Sequence, residues 1–179
     1  MKIFFDLILI KSLYMNIFTF YVFIKLRNEK NIGFKEILIM AISAIMGVGV
    51  YIILNNKINN IYILVINLII QCITCKKVFV NNSKSIVTTV LISSAIVHIN
   101  FVIAAFIENC IRMPLGNLKE YNILNFVLIM IIATFINIAM FKIRRINKGF
   151  QFLKEKINNE YLDIIMINIS IGVIFIYSL

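Results

Sequence analysis

The chain has 179 residues, of which 61% are hydrophobic and 15% are charged, and its mean hydropathy is +0.97. A soluble domain is about half apolar and about a quarter charged, so this composition excludes an ordinary soluble protein and indicates an integral membrane protein. The formal net charge of +10 does not predict nucleic-acid binding, because basic residues of membrane proteins gather in cytoplasmic loops and meet anionic lipid. The expected partner is therefore membrane lipid, and no nucleic acid is expected.

Six apolar runs are predicted to cross the membrane, because a helix needs about 20 mostly apolar residues to span the bilayer core. None of them alternates apolar and polar residues as a β-barrel strand does, so the predicted fold is all-α and polytopic. The third run is short and can extend to Val80 if Lys76 and Lys77 reach toward the lipid headgroups. The six runs are Ile3–Ile24, Ile37–Leu54, Ile61–Cys75, Ile86–Ile107, Ile123–Phe141 and Tyr161–Leu179.

The loops between these runs alternate in charge. Most of the 18 basic residues follow the first, third and fifth runs, and the opposite face holds only Lys2, Lys57, Arg112 and Lys119. The positive-inside rule then places the N-terminus outside, the three basic loops inside and Leu179 outside. A cytosolic output domain would need one more span after Leu179. Residues 1–179 are therefore expected to form a single transmembrane sensor domain, the N-terminal part of a longer protein.

One outer loop, Glu108–Tyr121, is long enough to help form the mouth of a ligand site. Glu108 and Arg112 stand at positions i and i+4, so their side chains can pair if the fourth helix continues toward Pro114. Two interpretations stay open for this segment. It is either a solvated connector or a lid over a pocket between the helices.

The third inner loop, residues 142–160, carries an apolar stripe at helical spacing, surrounded by Lys and Arg. This pattern predicts a basic amphipathic helix that lies on the anionic inner leaflet. The segment is either an anchored connector or a moving element that relays a signal, and in the second case Arg144, Arg145 and Phe150 are the candidate relay residues. The stripe consists of Ile143, Ile146, Phe150, Leu153 and Ile157.

Polar side chains inside the spans are candidates for function, because burying them in lipid is costly. His98, the only histidine, lies one turn after Ser94 and near Asn100. No second His or carboxylate stands at metal-ligand spacing, so a metal site is not predicted. His98 either makes hydrogen bonds between helices or contacts a ligand. The candidate ligand-binding residues are Glu108, Arg112, His98 and Asn100.

The third span carries two further patterns. Asn67, Gln71 and Thr74 stand at i, i+4 and i+7, which predicts one polar stripe along the helix. Cys72 and Cys75 form a C-x-x-C pair, which is either a redox centre or a pair of buried thiols at the inner end of the span.

The second span contains Ser43 and Gly47, a small-x-x-x-small pattern that predicts close helix packing. No phosphate-binding glycine loop, H-E-x-x-H, G-x-S-x-G or pair of carboxylates occurs in the sequence. Catalytic residues and cofactors are therefore not predicted within this chain.

The layout resembles the N-terminal membrane sensor region of Agr-type (accessory gene regulator) quorum-sensing receptor histidine kinases, which carry a GHKL-type ATPase domain. The resemblance rests first on the basic inner loop and the last span, which read KGFQFLKEKINNEYLDIIMINISIGVIFIYSL. It rests also on the spacing of the short-looped spans before them. The resemblance implies a receptor in a bacterial plasma membrane that detects a small, often cyclic, extracellular peptide. It also implies a homodimer. His98 lies inside a span and cannot be the phosphoacceptor of such a kinase.

Two other membrane families have a similar size. The peptidase that processes the Agr signal precursor needs a His and a Cys about seven residues apart near the cytoplasmic face, and His98 with Cys110 departs from that pattern in spacing and depth. The substrate-binding subunits of vitamin-type energy-coupling-factor transporters are six-helix proteins rich in small residues, whereas this chain has six Gly and many Ile. The transporter subunit remains the alternative to the receptor.

The charge pattern generates a test of orientation. A reporter fused after Lys148 is expected to be active only in the cytoplasm, because it follows a run of basic residues, and a reporter fused after Lys57 is expected outside. Paired alkaline phosphatase and fluorescent-protein fusions measure both positions. A fusion after Lys148 that is exposed outside the cell contradicts the orientation.

Overall fold

The computed structural model describes residues 2–29, 32–54, 57–79, 83–112 and 123–142. Within these ranges every regular element is an α-helix, and each of the five helices contains a stretch long and apolar enough to cross a membrane. The prediction of an all-α, multi-pass membrane protein is confirmed at this level. The predicted sixth span, Tyr161–Leu179, lies outside the described residues. The helices are α1 (Lys2–Arg27), α2 (Phe34–Leu54), α3 (Asn60–Val78), α4 (Ser83–Arg112) and α5 (Ile123–Met140).

Helix α1 continues almost one turn beyond the first apolar run and ends at Arg27, and the next residue, Asn28, has a left-handed φ of 51°. The N–H of Asn28 donates to the carbonyl of Lys25 and that of Glu29 to the carbonyl of Ile24, both at 3.1 Å, which closes the helix in a Schellman motif. Arg27, which follows the first apolar run, is the last residue of the helix. Because the helix continues, the Arg27 side chain is only 1% exposed and its Nε lies 3.3 Å from Oε1 of Glu29.

Helices α3 and α4 also extend past their apolar runs. Helix α3 ends at Val78, so Lys76 and Lys77 stand on its last turn with exposed side chains, as the snorkelling interpretation requires. Helix α4 has 30 residues and is therefore about 45 Å long, which exceeds the roughly 30 Å of a bilayer core. Its last turn carries Glu108 and Arg112 beyond the apolar run.

Helices α1 to α4 form a closed ring in which each helix packs against its two neighbours. Helices α1 and α3 face each other across the ring and contact each other much less than neighbouring helices do. The ring therefore contains a space between α1 and α3. Helix α5 packs on the outside of the ring, mainly against α4.

Two clusters of buried side chains hold this arrangement together. The first joins α1, α4 and α5 through residues such as Val22, Phe101 and Ile129. The second joins all four helices of the ring through residues such as Phe23, Met40, Cys75 and Val90. Burial of each large apolar side chain contributes about 1.5–3 kcal/mol in water, and in a bilayer the same contacts act through close packing.

The outer surface of the bundle is apolar. Besides Phe34 at its first position, helix α2 exposes seven large apolar side chains over most of its length. A contiguous patch of this size is unusual on a soluble protein, and it fits a surface that faces lipid tails. These residues are Ile37, Leu38, Ile42, Ile45, Met46, Ile52 and Ile53.

Candidate functional site

A cleft of about 370 Å³ occupies the space between α1 and α3. It extends along α3 from Asn60, in the first helical turn, to Gln71, and α4 and Tyr51 of α2 complete its walls. Its size lies at the lower end of the range for small-molecule sites, which is about 300–1,000 Å³. The lining residues are Ile8, Lys11, Ser12, Met15, Asn16, Thr19, Tyr51, Asn60, Ile63, Leu64, Asn67, Leu68, Gln71, Ser94 and His98.

The spacing of these residues explains why the sequence builds a cleft with polar walls. The α1 lining residues recur every three or four positions from Ile8 to Thr19, and those of α3 do the same from Asn60 to Gln71, so each set forms one helix face. Both faces mix apolar residues with amides, and the α1 face adds the hydroxyls of Ser12 and Thr19 and the amine of Lys11. Because α1 and α3 lie on opposite sides of the ring, their polar stripes meet across the cleft instead of facing lipid.

Three side-chain amides form the inner part of the cleft. The Nε2 of Gln71 donates to Oδ1 of Asn16 at 2.7 Å and joins α1 to α3. Three atoms of this cluster are buried and make no hydrogen bond: Nδ2 of Asn16, Oε1 of Gln71 and Oδ1 of Asn67. A buried polar atom without a partner is costly, and these three atoms have almost no accessible surface, so they are unpaired groups within the packing between helices and not groups on the open wall of the cleft.

The amide cluster rests on a close approach of α2. A Cβ added at Gly47 would lie 2.6 Å from Nδ2 of Asn16 and 2.7 Å from Oδ1 of Asn67, closer than side-chain atoms normally come. One turn away, the hydroxyls of Ser43 and Thr74 lie 2.8 Å apart. The small-x-x-x-small pattern of α2 therefore does bring helices close together, and Gly47 leaves room for the two amides.

His98 and Lys11 line the same cleft. Nδ1 of His98 lies 2.7 Å from the carbonyl of Ser94, and since a carbonyl only accepts, this nitrogen carries a proton. Nζ of Lys11 lies over the ring of Phe101, 5.2 Å from its centroid, in cation–π geometry. His98 is thus the one predicted ligand residue that the structure places in the cleft.

Asn100 lies on another face of α4 and serves the contact with α5. Its Nδ2 donates to Oδ1 of Asn137 at 2.7 Å. The Nδ2 of Asn137 in turn donates to the carbonyl of Ala133 at 2.9 Å and reaches the hydroxyl of Tyr14 on α1 at 3.4 Å. Asn137 is fully buried. These contacts join three helices away from the cleft.

Glu108 and Arg112 form the predicted i, i+4 ion pair at the end of α4. The Nε of Arg112 lies 3.5 Å from Oε1 of Glu108. The Nη2 of the same guanidinium donates to Oδ1 of Asn109 at 3.0 Å. The pairing is confirmed. Neither residue lines the cleft.

The remaining candidates fall partly outside the described ranges. This applies to Arg144, Arg145 and Phe150 of the relay segment and to residues 113–122 of the outer loop. Within the described ranges, no three His, Cys, Asp or Glu side chains come close enough to share a metal ion. Cys72 and Cys75 are free thiols, and Cys75 lies in the core of the ring.

The polar stripe of α3 was visible in the sequence, but its partner was not. Asn67, Gln71 and Thr74 share one face as predicted, and each is involved in the contacts described above. Asn16 and Lys11 were not selected as site residues, because nothing in a single sequence shows which helix faces the stripe. The small-residue pattern around Gly47 is the one signal that points to a close approach there.

Comparison of the chain with protein-family models, with curated proteins and with solved structures finds no match. The cleft is therefore the feature of the molecule that bears on function.

The Asn100–Asn137 contact predicts a measurable coupling. Asn100→Ala should lower the free energy of unfolding by about 1 kcal/mol, because it leaves a buried amide without its partner. A double-mutant cycle with Asn137→Ala should give a coupling energy of about 0.6 kcal/mol and at most about 1.7 kcal/mol, the range for hydrogen bonds between membrane helices. Unfolding in mixed micelles provides these values.

Val102→Ala is the matched control, because Val102 is on the same helix and 50% exposed. It should change stability by less than Asn100→Ala. Additive effects of the Asn100 and Asn137 substitutions would contradict the contact.

Proposed function

We propose that this protein is the membrane-embedded sensor region of a signal-transducing histidine kinase of the Agr type, and that it detects an extracellular peptide in a bacterial plasma membrane. The single observation that supports this function is the cleft between α1 and α3. It is large enough for part of a small ligand, and side chains with amide, hydroxyl, amine and imidazole groups line it together with apolar ones. The resemblance in layout supplies the class of receptor.

The position of the cleft fits a ligand that arrives from outside. Its lining includes Tyr51 near the end of α2 and Asn60 at the start of α3, which flank a loop that the charge pattern places outside. Occupation of the cleft would change the contact between α1 and α3. Since a ligand shifts a conformational equilibrium only by its different affinity for two states, this contact is the element that we expect to differ between them.

The inner end of α3 offers a way to observe such a change. Cys75 is 0% exposed and packs with Phe23 and Phe79 in the ring core. It lies one turn beyond Gln71, the residue that joins α3 to α1. A shift of α3 caused by ligand in the cleft should therefore alter how readily a thiol reagent reaches Cys75.

The test uses the chain with Cys72→Ser and Cys110→Ser, reconstituted in vesicles with its outer face outward. The probe is the small-peptide fraction of medium conditioned by the organism that carries the gene. Added outside, this fraction should change the rate at which Cys75 reacts with a membrane-permeant maleimide by at least about fivefold, the lower end of usual allosteric couplings.

Two substitutions on α3 provide the matched comparison. Leu64 lines the cleft, so Leu64→Trp fills it. Val65 is 45% exposed and does not line the cleft, so Val65→Trp places the same ring on the outer surface. The effect of the fraction should disappear in the first variant and persist in the second. Equal effects in both variants would contradict a receptor that acts through this cleft.

The second candidate is the substrate-binding membrane subunit of a small-molecule (vitamin-type) transporter. The same cleft would serve it, because such a subunit needs a ligand site between its helices. It predicts that the medium fraction contains a ligand that binds in the cleft while the reactivity of Cys75 stays unchanged. That outcome would contradict the receptor proposal and support the transporter subunit.

A further inference from the structure

The inner end of the ring is closed by large side chains. The inner end is the one at which α1 and α3 finish and α2 and α4 begin, next to the loops that the charge pattern places inside. The cleft reaches Thr19 on α1 and Gln71 on α3, and one turn farther toward this end Phe23 and Cys75 are fully buried. The packed cluster that contains Phe23, Cys75 and Phe79 therefore separates the cleft from the inner face.

Arg27 lies at the base of this cluster. Its guanidinium carbon is 5.7 Å from the centroid of the Phe23 ring, and that ring lies 5.2 Å from the ring of Phe79 between centroids. The stack joins the last turn of α1 to the residue that caps α3. Among the described residues, Arg27 and Phe23 belong to the largest side chains that are fully buried. A charged group is thus part of the core that seals the inner end.

The burial of Arg27 is supported by a carboxylate that solvent can reach. The Nε of Arg27 lies 3.3 Å from Oε1 of Glu29, whose side chain is 20% exposed. A buried guanidinium that loses its carboxylate is strongly unfavourable, whereas an apolar side chain of similar volume in the same place is tolerated. Loss of the Glu29 carboxylate should therefore drive the Arg27 side chain out of the core, toward the lipid headgroups that a long side chain at a helix end can reach.

We infer that Arg27 is a latch that closes the inner end of the ring, and that Glu29 holds this latch in place. With Arg27 in the core, the cluster around Cys75 is closed. With Arg27 turned toward the headgroups, Phe23 loses its cover and the inner end opens. This device goes beyond the proposed function, because it acts at the end of the ring opposite the mouth of the cleft and serves a receptor and a transporter subunit alike.

The experiment measures from which side of the membrane Cys75 can be reached. The chain with Cys72→Ser and Cys110→Ser is reconstituted in vesicles of known orientation, and a membrane-impermeant maleimide is added at the inner or the outer face. Glu29→Gln should raise the rate of Cys75 modification from the inner face by at least about tenfold, because it removes the charge that compensates Arg27. The rate from the outer face should stay unchanged.

Arg27→Met separates a latch from simple packing. Met fills much of the same space without a charge, so Cys75 should stay protected in this variant. The double variant Arg27→Met with Glu29→Gln should be equally protected, because no buried charge then needs the carboxylate. If Glu29 acts through packing alone, Glu29→Gln will expose Cys75 in both backgrounds, and that result would overturn the latch.

Lys25 provides the matched control. Its Nζ lies 5.8 Å from the centroid of the Tyr21 ring, which is close to the geometry of Arg27 two residues later on the same helix. Tyr21 packs against Phe141 at the end of α5, which lies outside the ring of four helices. Lys25→Met removes the same charge and the same kind of contact, and it should leave the reactivity of Cys75 unchanged.

Three further results would overturn the inference. These are unchanged protection of Cys75 in Glu29→Gln, exposure by Glu29→Gln that Arg27→Met does not reverse, and an equal effect of Lys25→Met. If Glu29→Gln does not fold, two variants of Arg27 still decide. Arg27→Ala empties the space and should expose Cys75 from the inner face, whereas Arg27→Met should not, and equal rates in these two variants would contradict the latch.

Discussion

The close approach of α2 to the amides of α1 and α3 at Gly47 is the contact on which the rest of the ring depends. Apolar helices gain little by burying themselves against one another in lipid, since the lipid tails are equally apolar. Small residues and hydrogen bonds between helices must therefore define which faces meet. Here Gly47 leaves the space that Asn16 and Asn67 occupy, and Asn16 holds Gln71 across the ring.

The same contact explains why the ring encloses a cleft. Polar side chains on α1 and α3 avoid lipid by facing each other, but only one direct hydrogen bond joins their amides. Three other amide atoms of this cluster are buried without a hydrogen bond, beside a space that apolar packing does not fill. A bundle designed only for stability would replace such a cluster by close-packed apolar residues, because half-satisfied polar groups cost more than an apolar core. The polar residues of α1 and α3 that line the cleft are the physical basis for proposing a ligand site there.

The sequence was informative about elements and much less about their arrangement. Long apolar runs identified the five described helices because the bilayer requires length and hydrophobicity, and the i, i+4 spacing was enough to predict the Glu108–Arg112 pair. The burial of Arg27 was not predictable, because a charge after an apolar run resembles a loop residue, whereas a Schellman turn one residue later keeps Arg27 on the helix.

The site shows the same division. Asn100 and His98 are two residues apart, and only the packing of α4 shows that His98 lines the cleft while Asn100 holds Asn137. Periodicity places side chains on faces of their own helix, but the choice of neighbouring helix depends on long-range packing. For that reason Asn16 and Gln71, 55 positions apart, could be recognised as partners only from the fold.

The most direct test of this account compares Gly47→Ala with Gly49→Ala in unfolding experiments. The two glycines lie on the same helix, and a Cβ added at Gly49 meets no atom within 4 Å. Gly49→Ala should leave stability unchanged or raise it by up to about 1 kcal/mol, because Ala favours the helix. Gly47→Ala should lower it by about 1–3 kcal/mol, because the new methyl group must displace two buried amides. Equal effects of the two substitutions would contradict the close approach that organises the ring and its cleft.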